Sequence, residues 1–219
     1  MTVASVNGLG YVFIERDLKS ALIRPVVSLL YRLSFGMSEA VLFQNQDDAT
    51  FFEDRGLLSS KKVRRTAGGS GVNTSYFSPD AVEDASLDHL RGSLGLARET
   101  PVALMVGRML THKGVHEYVE CARTVVEYRD AHFLLVGPVD QGNPTSIPHE
   151  TLVEWERKGW VRYLGERSDI RELMAMADVV ALPSYREGFP RVLVEAAAMG
   201  KPMVTTDTPG CRDVVDDGV

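Results

Sequence analysis

The sequence predicts an α/β protein with a mainly parallel sheet. From residue 101 onward, short apolar runs alternate with stretches of helical periodicity, the texture of successive βαβ units. The residues ahead of position 67 repeat that texture on a smaller scale. Between the two lies AGGSGVNTSYFSP, residues 67–79, which follows neither pattern and is rich in turn formers.

In the front part VASV opens as a strand. ERDLKSALIRPVVSLLYRLSF then reads as a long amphipathic helix interrupted near Pro25, AVLFQN as a strand, and DDATFFEDRG as a helix with an Asp cap and a Gly stop. Lys61, Lys62, Arg64 and Arg65 form the one dense basic cluster. It has two readings, a solvated strand edge or loop, and a contact with an anionic membrane surface. In the back part strands are expected at 102–107, 132–137, 161–165, 178–183 and 202–206, with helices at about 114–129, 149–158, 169–177 and 190–199. Five strands with helices between them make one Rossmann-like layer, and QGNPTSIP is a loop after the second strand.

Composition narrows the class. The chain has 219 residues, 44% hydrophobic and 25% charged, ordinary values for a globular protein. Cys121 and Cys211 lie far apart with no ligand spacing, so neither a disulfide framework nor a zinc site is indicated, and a reducing cytoplasm fits. No run of 18 apolar residues exists, and Glu15, Arg16 and Asp17 stand where a leader would be apolar. The net charge of −6 is unevenly spread. Residues 1–78 hold nine Lys/Arg against seven Asp/Glu, and residues 79–219 hold fifteen against twenty-three. No basic stripe with interleaved aromatics appears, so nucleic acid is not an expected partner. GLG at 8–10 lacks the continuation of a dinucleotide fingerprint.

The chemistry concentrates in SYREGFPRVLVEAAAMGKPMVTTD. Pro190 is pre-set for the first helical position, and Gly200 followed by Pro202 reads as a stop. Glu187 therefore falls in the entering loop and Glu195, eight positions on, inside the helix. A helix start offers unpaired N–H groups and the positive end of the macrodipole, so phosphate is accommodated beside Gly188 and Phe189. Two carboxylates flanking an anion site suit a ligand with hydroxyls on both sides of its phosphates, the layout of a nucleotide sugar. GRMLTHKG, 107–114, adds Arg108 and Lys113 directly after a strand, where open α/β sheets bind ligands and where cations meet diphosphate.

EGFPRVLVEAAAMGKPMV resembles the signature of the retaining GT-B glycosyltransferases of family 4: Glu-Gly-Phe-(Gly/Pro), seven residues between the glutamates, then Glu-Ala-x-Ala-x-Gly-x-Pro-(Val/Ile). GSGVNTSYFSP resembles the segment that joins the two domains of such enzymes. Arg108 and Lys113 match the family's Arg-x4-Lys-Gly element. The resemblance implies a GT-B fold, with residues 1–78 as part of an acceptor-side domain and 79–219 as a nucleotide-sugar-binding domain whose C-terminus is cut short. It implies that Glu187 holds hydroxyls of the transferred sugar, Glu195 the ribose hydroxyls, Arg108 and Lys113 the departing diphosphate, and Gly188, Phe189 and Pro190 the helix-start amides that meet sugar and phosphate. Arg167, in GERSD, is implied to contact the base through its main chain. Gly69, Gly71 and Val72 either approach the phosphates or permit a hinge. Arg212 and Asp213 resemble an element whose backbone lies near the donor.

Retaining transfer by same-face attack, with no metal and no cofactor, is the expected mechanism, and the donor is expected to be a UDP-sugar. GLGYVF and FQNQDD resemble the bacterial subgroup that acts on undecaprenyl-diphosphate-linked sugars. The expected acceptor is therefore a lipid-linked saccharide, and the expected place the inner face of the plasma membrane. Residues 17–35 are either a helix packed on a sheet or one that rests on that membrane. None of the five histidines has ligand or catalytic-base spacing, and the histidine several relatives use lies upstream of GLGYVF. The chain is expected to be a fragment, which leaves a catalytically silent nucleotide-sugar-binding piece as the alternative.

Overall fold

The computed structural model describes residues 2–14, 17–65, 69, 71–97 and 99–218. The chain divides into two compact units. The first comprises Met1–Gly71, Glu187–Pro190 and Thr208–Val219, and the second Val72–Arg186 and Arg191–Asp207.

The first unit holds a three-stranded parallel sheet in the order β1 (Val3–Val6), β2 (Ala40–Phe43), β3 (Val63–Arg65). Helices α1 (Tyr11–Ile14) and α2 (Leu18–Met37) link β1 to β2, and α3 (Gln46–Asp54) links β2 to β3. Its core is aromatic. Phe52 lies 5.4 Å from Phe35 and 5.8 Å from both Phe13 and Phe43, ring centre to ring centre, in edge-on and tilted contacts. Part of the basic cluster forms a strand edge, and Lys62 Nζ donates to Phe35 O and Gly36 O at the end of α2. Lys61 and Lys62 end a single 3-10 turn, and Val63–Arg65 pairs with β2 on one side.

Two expectations for this unit change. Helix α2 is not interrupted at Pro25 but runs through it. Pro25 removes one N–H and frees the carbonyl four residues earlier, at Ala21, and both residues lie on the solvent side, where water satisfies that carbonyl. Helix α3 is capped by Asn45 rather than by an aspartate, its side chain accepting from the Asp48 amide at 2.8 Å. Asp47 and Asp48 occupy the first turn, where the macrodipole favours them.

The second unit holds five parallel strands in the order β6 (Arg162–Tyr163), β5 (His132–Val136), β4 (Val102–Val106), β7 (Val179–Leu182), β8 (Met203–Thr205). The helices α5 (Val115–Val126), α6 (His149–Arg157), α7 (Ile170–Met176) and α8 (Arg191–Ala198) fill the connections in turn. Side chains alternate along the buried strands. Val102, Leu104, Leu134 and Val136 pack with Leu173 and Met174 of α7, whereas Phe133 meets Tyr118 of α5. Both faces are thus covered, which is why the strands read as unbroken apolar runs.

Every expected strand is present, the third shortened to two residues. Helix α4 (Asp84–Ser93) is one the sequence does not announce. Its first residue follows Glu83, which makes no side-chain cap, and only Leu87, Leu90 and Leu94 carry its apolar rhythm. It packs against α7. Cys121 and Cys211 are both free thiols. No helix among the described residues is long and apolar enough to cross a membrane.

Helix α2 has an unusual outer face. Leu18, Leu22, Val26, Leu29, Leu30, Leu33 and Met37 are all more than half exposed and recur at helical spacing. Its charged residues are Lys19, Arg24 and Arg32, with no acid between Leu18 and Met37.

Candidate functional site

In the second unit the strand order reverses direction at β4, because the chain adds β5 and β6 on one side and then returns to add β7 and β8 on the other. Such a switch point leaves a crevice outside the carboxyl ends of the two central strands. The segment that follows β4 carries Arg108 and Lys113.

The segment after β4 begins at Gly107, passes Arg108, forms a 3-10 turn at Thr111–Lys113 and enters α5 through Gly114. It is fastened on both flanks. Toward the β5 side, the Met109 amide donates to Pro138 O at 3.0 Å, Thr111 N to Thr145 O at 2.8 Å, and Ile147 N to Met109 O at 2.8 Å. Gly137, with φ +140°, lies so near that a Cβ there would stand 1.9 Å from Gly107 O. Toward the β7 side, Tyr185 N and Ser184 Oγ both donate to His112 O, at 2.9 and 3.1 Å. Thr206 Oγ1 in turn donates to Ser184 O. Arg108 and Lys113 thus sit on a loop whose backbone is fixed by its neighbours. Arg108 pairs with Asp140, Nη1 to Oδ2 at 2.9 Å, with half its side chain still open to solvent.

Glu195 lies one turn into α8 with only 14% of its side chain exposed. Burial raises its carboxyl above the ordinary value, and the Arg191 guanidinium, 3.1 Å away one turn earlier, pulls the other way. Pro190 precedes the first helical residue, one position earlier than its expected place in the helix. Arg167 follows β6, two strands away from β4. Its guanidinium forks onto Asp169, Nε to Oδ1 at 2.8 Å and Nη2 to Oδ2 at 2.5 Å. That pair holds the Asp169 carboxyl below its usual range. The Arg167 side chain is thus engaged within its own turn, with about a third of it open to solvent.

The remaining expected residues belong to the first unit, and there the structure reveals what the sequence reading missed. Asn45, just past β2, is buried and donates from Nδ2 to Gly188 O at 2.7 Å and, more weakly, to Glu187 O at 3.4 Å. The Glu187 amide donates to Pro209 O at 3.0 Å. Gly188 presses on the end of β1, and a Cβ there would stand 2.0 Å from Asn7 O. Gly210, at φ +83°, would likewise meet Glu187 O at 2.3 Å. Gly69, at φ +56°, abuts the Phe189 ring, while Gly71, at φ +72°, has open space around it. The absent side chains at 188 and 210 let the Glu187–Pro190 backbone nest against the carboxyl ends of β1 and β2. Arg212 reaches Asp47 at 3.5 Å, and Asp213 accepts from the Gly210 amide at 3.2 Å.

A family model described as glycosyl transferases group 1 matches residues 100–219. The chain is 37% identical over 214 residues to the Campylobacter jejuni N,N'-diacetylbacillosaminyl-diphospho-undecaprenol alpha-1,3-N-acetylgalactosaminyltransferase, covering 98% of the chain and 54% of that protein. It is 30% identical over 144 residues to the Escherichia coli UDP-Gal:alpha-D-GlcNAc-diphosphoundecaprenol alpha-1,3-galactosyltransferase, covering 64% of the chain and 36% of that protein. Among solved structures, Anabaena Alr3699/HepE in complex with UDP and glucose superposes with a TM-score of 0.76 at 26% identity, over 90% of the chain and 52% of that protein. The chain spans 54% or less of the length of either curated relative.

Proposed function

The chain belongs to the group 1 glycosyl transferases and has the GT-B fold, and we propose that it supplies the donor-binding part of an enzyme that moves a hexose or N-acetylhexosamine from a UDP-sugar to a lipid-linked saccharide. The observation that carries this reading is the placement of Arg108 and Lys113 on one fastened loop at the switch point of the second unit's sheet. A bond between sugar and diphosphate breaks with charge accumulating on the phosphate. Cations carried on a fastened backbone stabilise that charge with little reorganisation of the loop. Arg108 offers a planar fork and Lys113 a mobile point charge, and together they supply the charge a departing diphosphate needs, so the transfer proceeds without a metal.

In this reading Glu195 accepts hydrogen bonds from the ribose hydroxyls, Glu187 holds the transferred sugar, and the amides of Gly188 and Phe189, with Pro190 shaping the helix start, meet sugar and diphosphate. Arg167 contacts the base through its backbone, and Gly71 serves as a hinge. The acceptor hydroxyl attacks the face the diphosphate leaves, so configuration is retained. The named substrates of the Campylobacter and Escherichia relatives, both saccharides on diphospho-undecaprenol, support a lipid-linked acceptor. The apolar outer stripe of α2 with its flanking Lys19 and Arg32 supports work at the inner face of the membrane.

Calorimetric titration with UDP, GDP and UDP-hexoses tests the proposal. Binding of a UDP-hexose, weakened about tenfold or more by Lys113→Ala and by Glu195→Ala, is the expected result. Equal affinity in all three proteins removes the assignment. Because the chain spans 54% of its Campylobacter relative, a second reading has it bind donor without turning over. Turnover by a chain extended to the relatives' length, with none by this one, selects that reading.

A further inference from the structure

Asn45 grips the carbonyls of the Glu187–Gly188 segment with its side chain, and it reaches them from 142 and 143 positions away in the chain. Its amide is used at both ends. Oδ1 accepts the Asp48 amide and starts α3, and Nδ2 donates to Gly188 O at 2.7 Å, to Glu187 O at 3.4 Å and to Asp48 Oδ2 at 3.2 Å.

A trans peptide unit points its N–H opposite to its carbonyl. Drawing Glu187 O and Gly188 O toward Asn45 therefore turns the amides of Gly188 and Phe189 away from it. Neither amide donates to a carbonyl in the loop, turn and cap bonds of the described residues. These are the two N–H groups assigned above to the donor's sugar and diphosphate. We propose that Asn45 is a positioning residue: it fixes the orientation of both peptide planes and so presents those amides to the donor, without touching the donor itself. The inference rests on the donor-binding reading.

The geometry explains why serine and aspartate do not serve in place of Asn45. Serine and aspartate cap a helix as well as asparagine does. Serine is too short to reach the loop, and an aspartate carboxylate places an acceptor against two carbonyl oxygens and beside Asp48. The cap and the grip are therefore separable by mutation.

Asn45→Ser and Asn45→Asp are to be compared with wild type and with Lys113→Ala by thermal unfolding, by hydrogen exchange of a peptide spanning 187–190, and by calorimetry with UDP-glucose, UDP-N-acetylglucosamine and UDP. The expected result is faster exchange across 187–190, an unfolding midpoint lowered more by Asn45→Asp than by Asn45→Ser because the buried carboxylate faces two carbonyl oxygens, and about tenfold weaker binding of the better UDP-sugar with a smaller loss for UDP. A purely structural role weakens UDP and UDP-sugar alike, which overturns the proposal. Unchanged UDP-sugar affinity in both variants, with Lys113→Ala still weakened, overturns it while leaving the donor-binding reading intact. Absence of any nucleotide-sugar binding by wild type defeats both. Should one variant fail to fold, the other carries the comparison, since each keeps a capping oxygen.

Discussion

Gly114 and Pro183 approach so closely that a Cβ on Gly114 would lie 2.1 Å from the Pro183 carbonyl oxygen. The two residues join the segments after β4 and β7, the central strands of the second unit's sheet. Gly114 also holds φ +79°, the left-handed region that costs an L-residue about 1–2 kcal/mol. Because the clashing atom belongs to the main chain, it cannot swing aside. Gly114→Ala is expected to lower stability by ~2–4 kcal/mol in a denaturant titration and to abolish UDP binding by displacing the adjoining Lys113 turn. Gly142→Ala, where nothing lies within 4 Å, serves as the control and is expected to stay within about 0.5 kcal/mol of wild type.

Glu195 predicts a conflict between stability and binding. Its folded carboxyl holds a proton more tightly than the unfolded chain does, because burial disfavours the anion. The folded state therefore loses stability as pH rises from the unfolded value of 4.5 through the raised one, and regains it as pH falls. Glu195→Gln is expected to unfold at an equal or higher denaturant midpoint at pH 7, with the gap closing below pH 4.5, while binding UDP about tenfold more weakly. A variant less stable at pH 7 and equally good at binding contradicts both halves.

The Arg167–Asp169 pair predicts the opposite pH trend. Asp169 is held below its ordinary range, so its contribution is present above about pH 4 and disappears as pH falls through the lowered value. Both side chains are about one third exposed, which limits the pair to ~0.5–1 kcal/mol. Asp169→Asn is expected to be less stable than wild type at neutral pH and to converge with it in acid. Arg167→Ala is expected to keep UDP affinity within about twofold, since the role given to that position is a main-chain one.

The outer stripe of α2 predicts lipid contact. Cosedimentation with vesicles containing anionic phospholipid is expected for wild type and is expected to fall about tenfold when Leu22→Glu and Leu29→Glu are combined, with neutral vesicles binding weakly throughout. Equal sedimentation of wild type and double variant shows that the stripe faces something other than lipid.

The back half of the chain was readable because its strands are buried on both faces and its helices are bounded by Pro190, Gly114 and Gly200, residues that dictate backbone shape locally. The loop cations were readable for the same reason, since Arg108 and Lys113 follow directly from the end of β4. Helix α4 escaped because its start has no capping side chain. The run of α2 through Pro25 escaped because the cost of a proline depends on which way its partner carbonyl faces, and that is set by packing. Asn45 was out of reach altogether. Nothing near it in the sequence points to Gly188, and only the folding of the first unit brings them together.

The loops after β4, β5 and β7 meet one another through main-chain atoms, at Gly107, Gly114, Gly137 and Pro183. Atoms shared by every amino acid thus hold these three loops together, and their placement is insulated from most changes of side chain around them. On the donor-binding reading proposed above, a change of donor preference then calls for side-chain substitutions on these loops and no rebuilding of the scaffold.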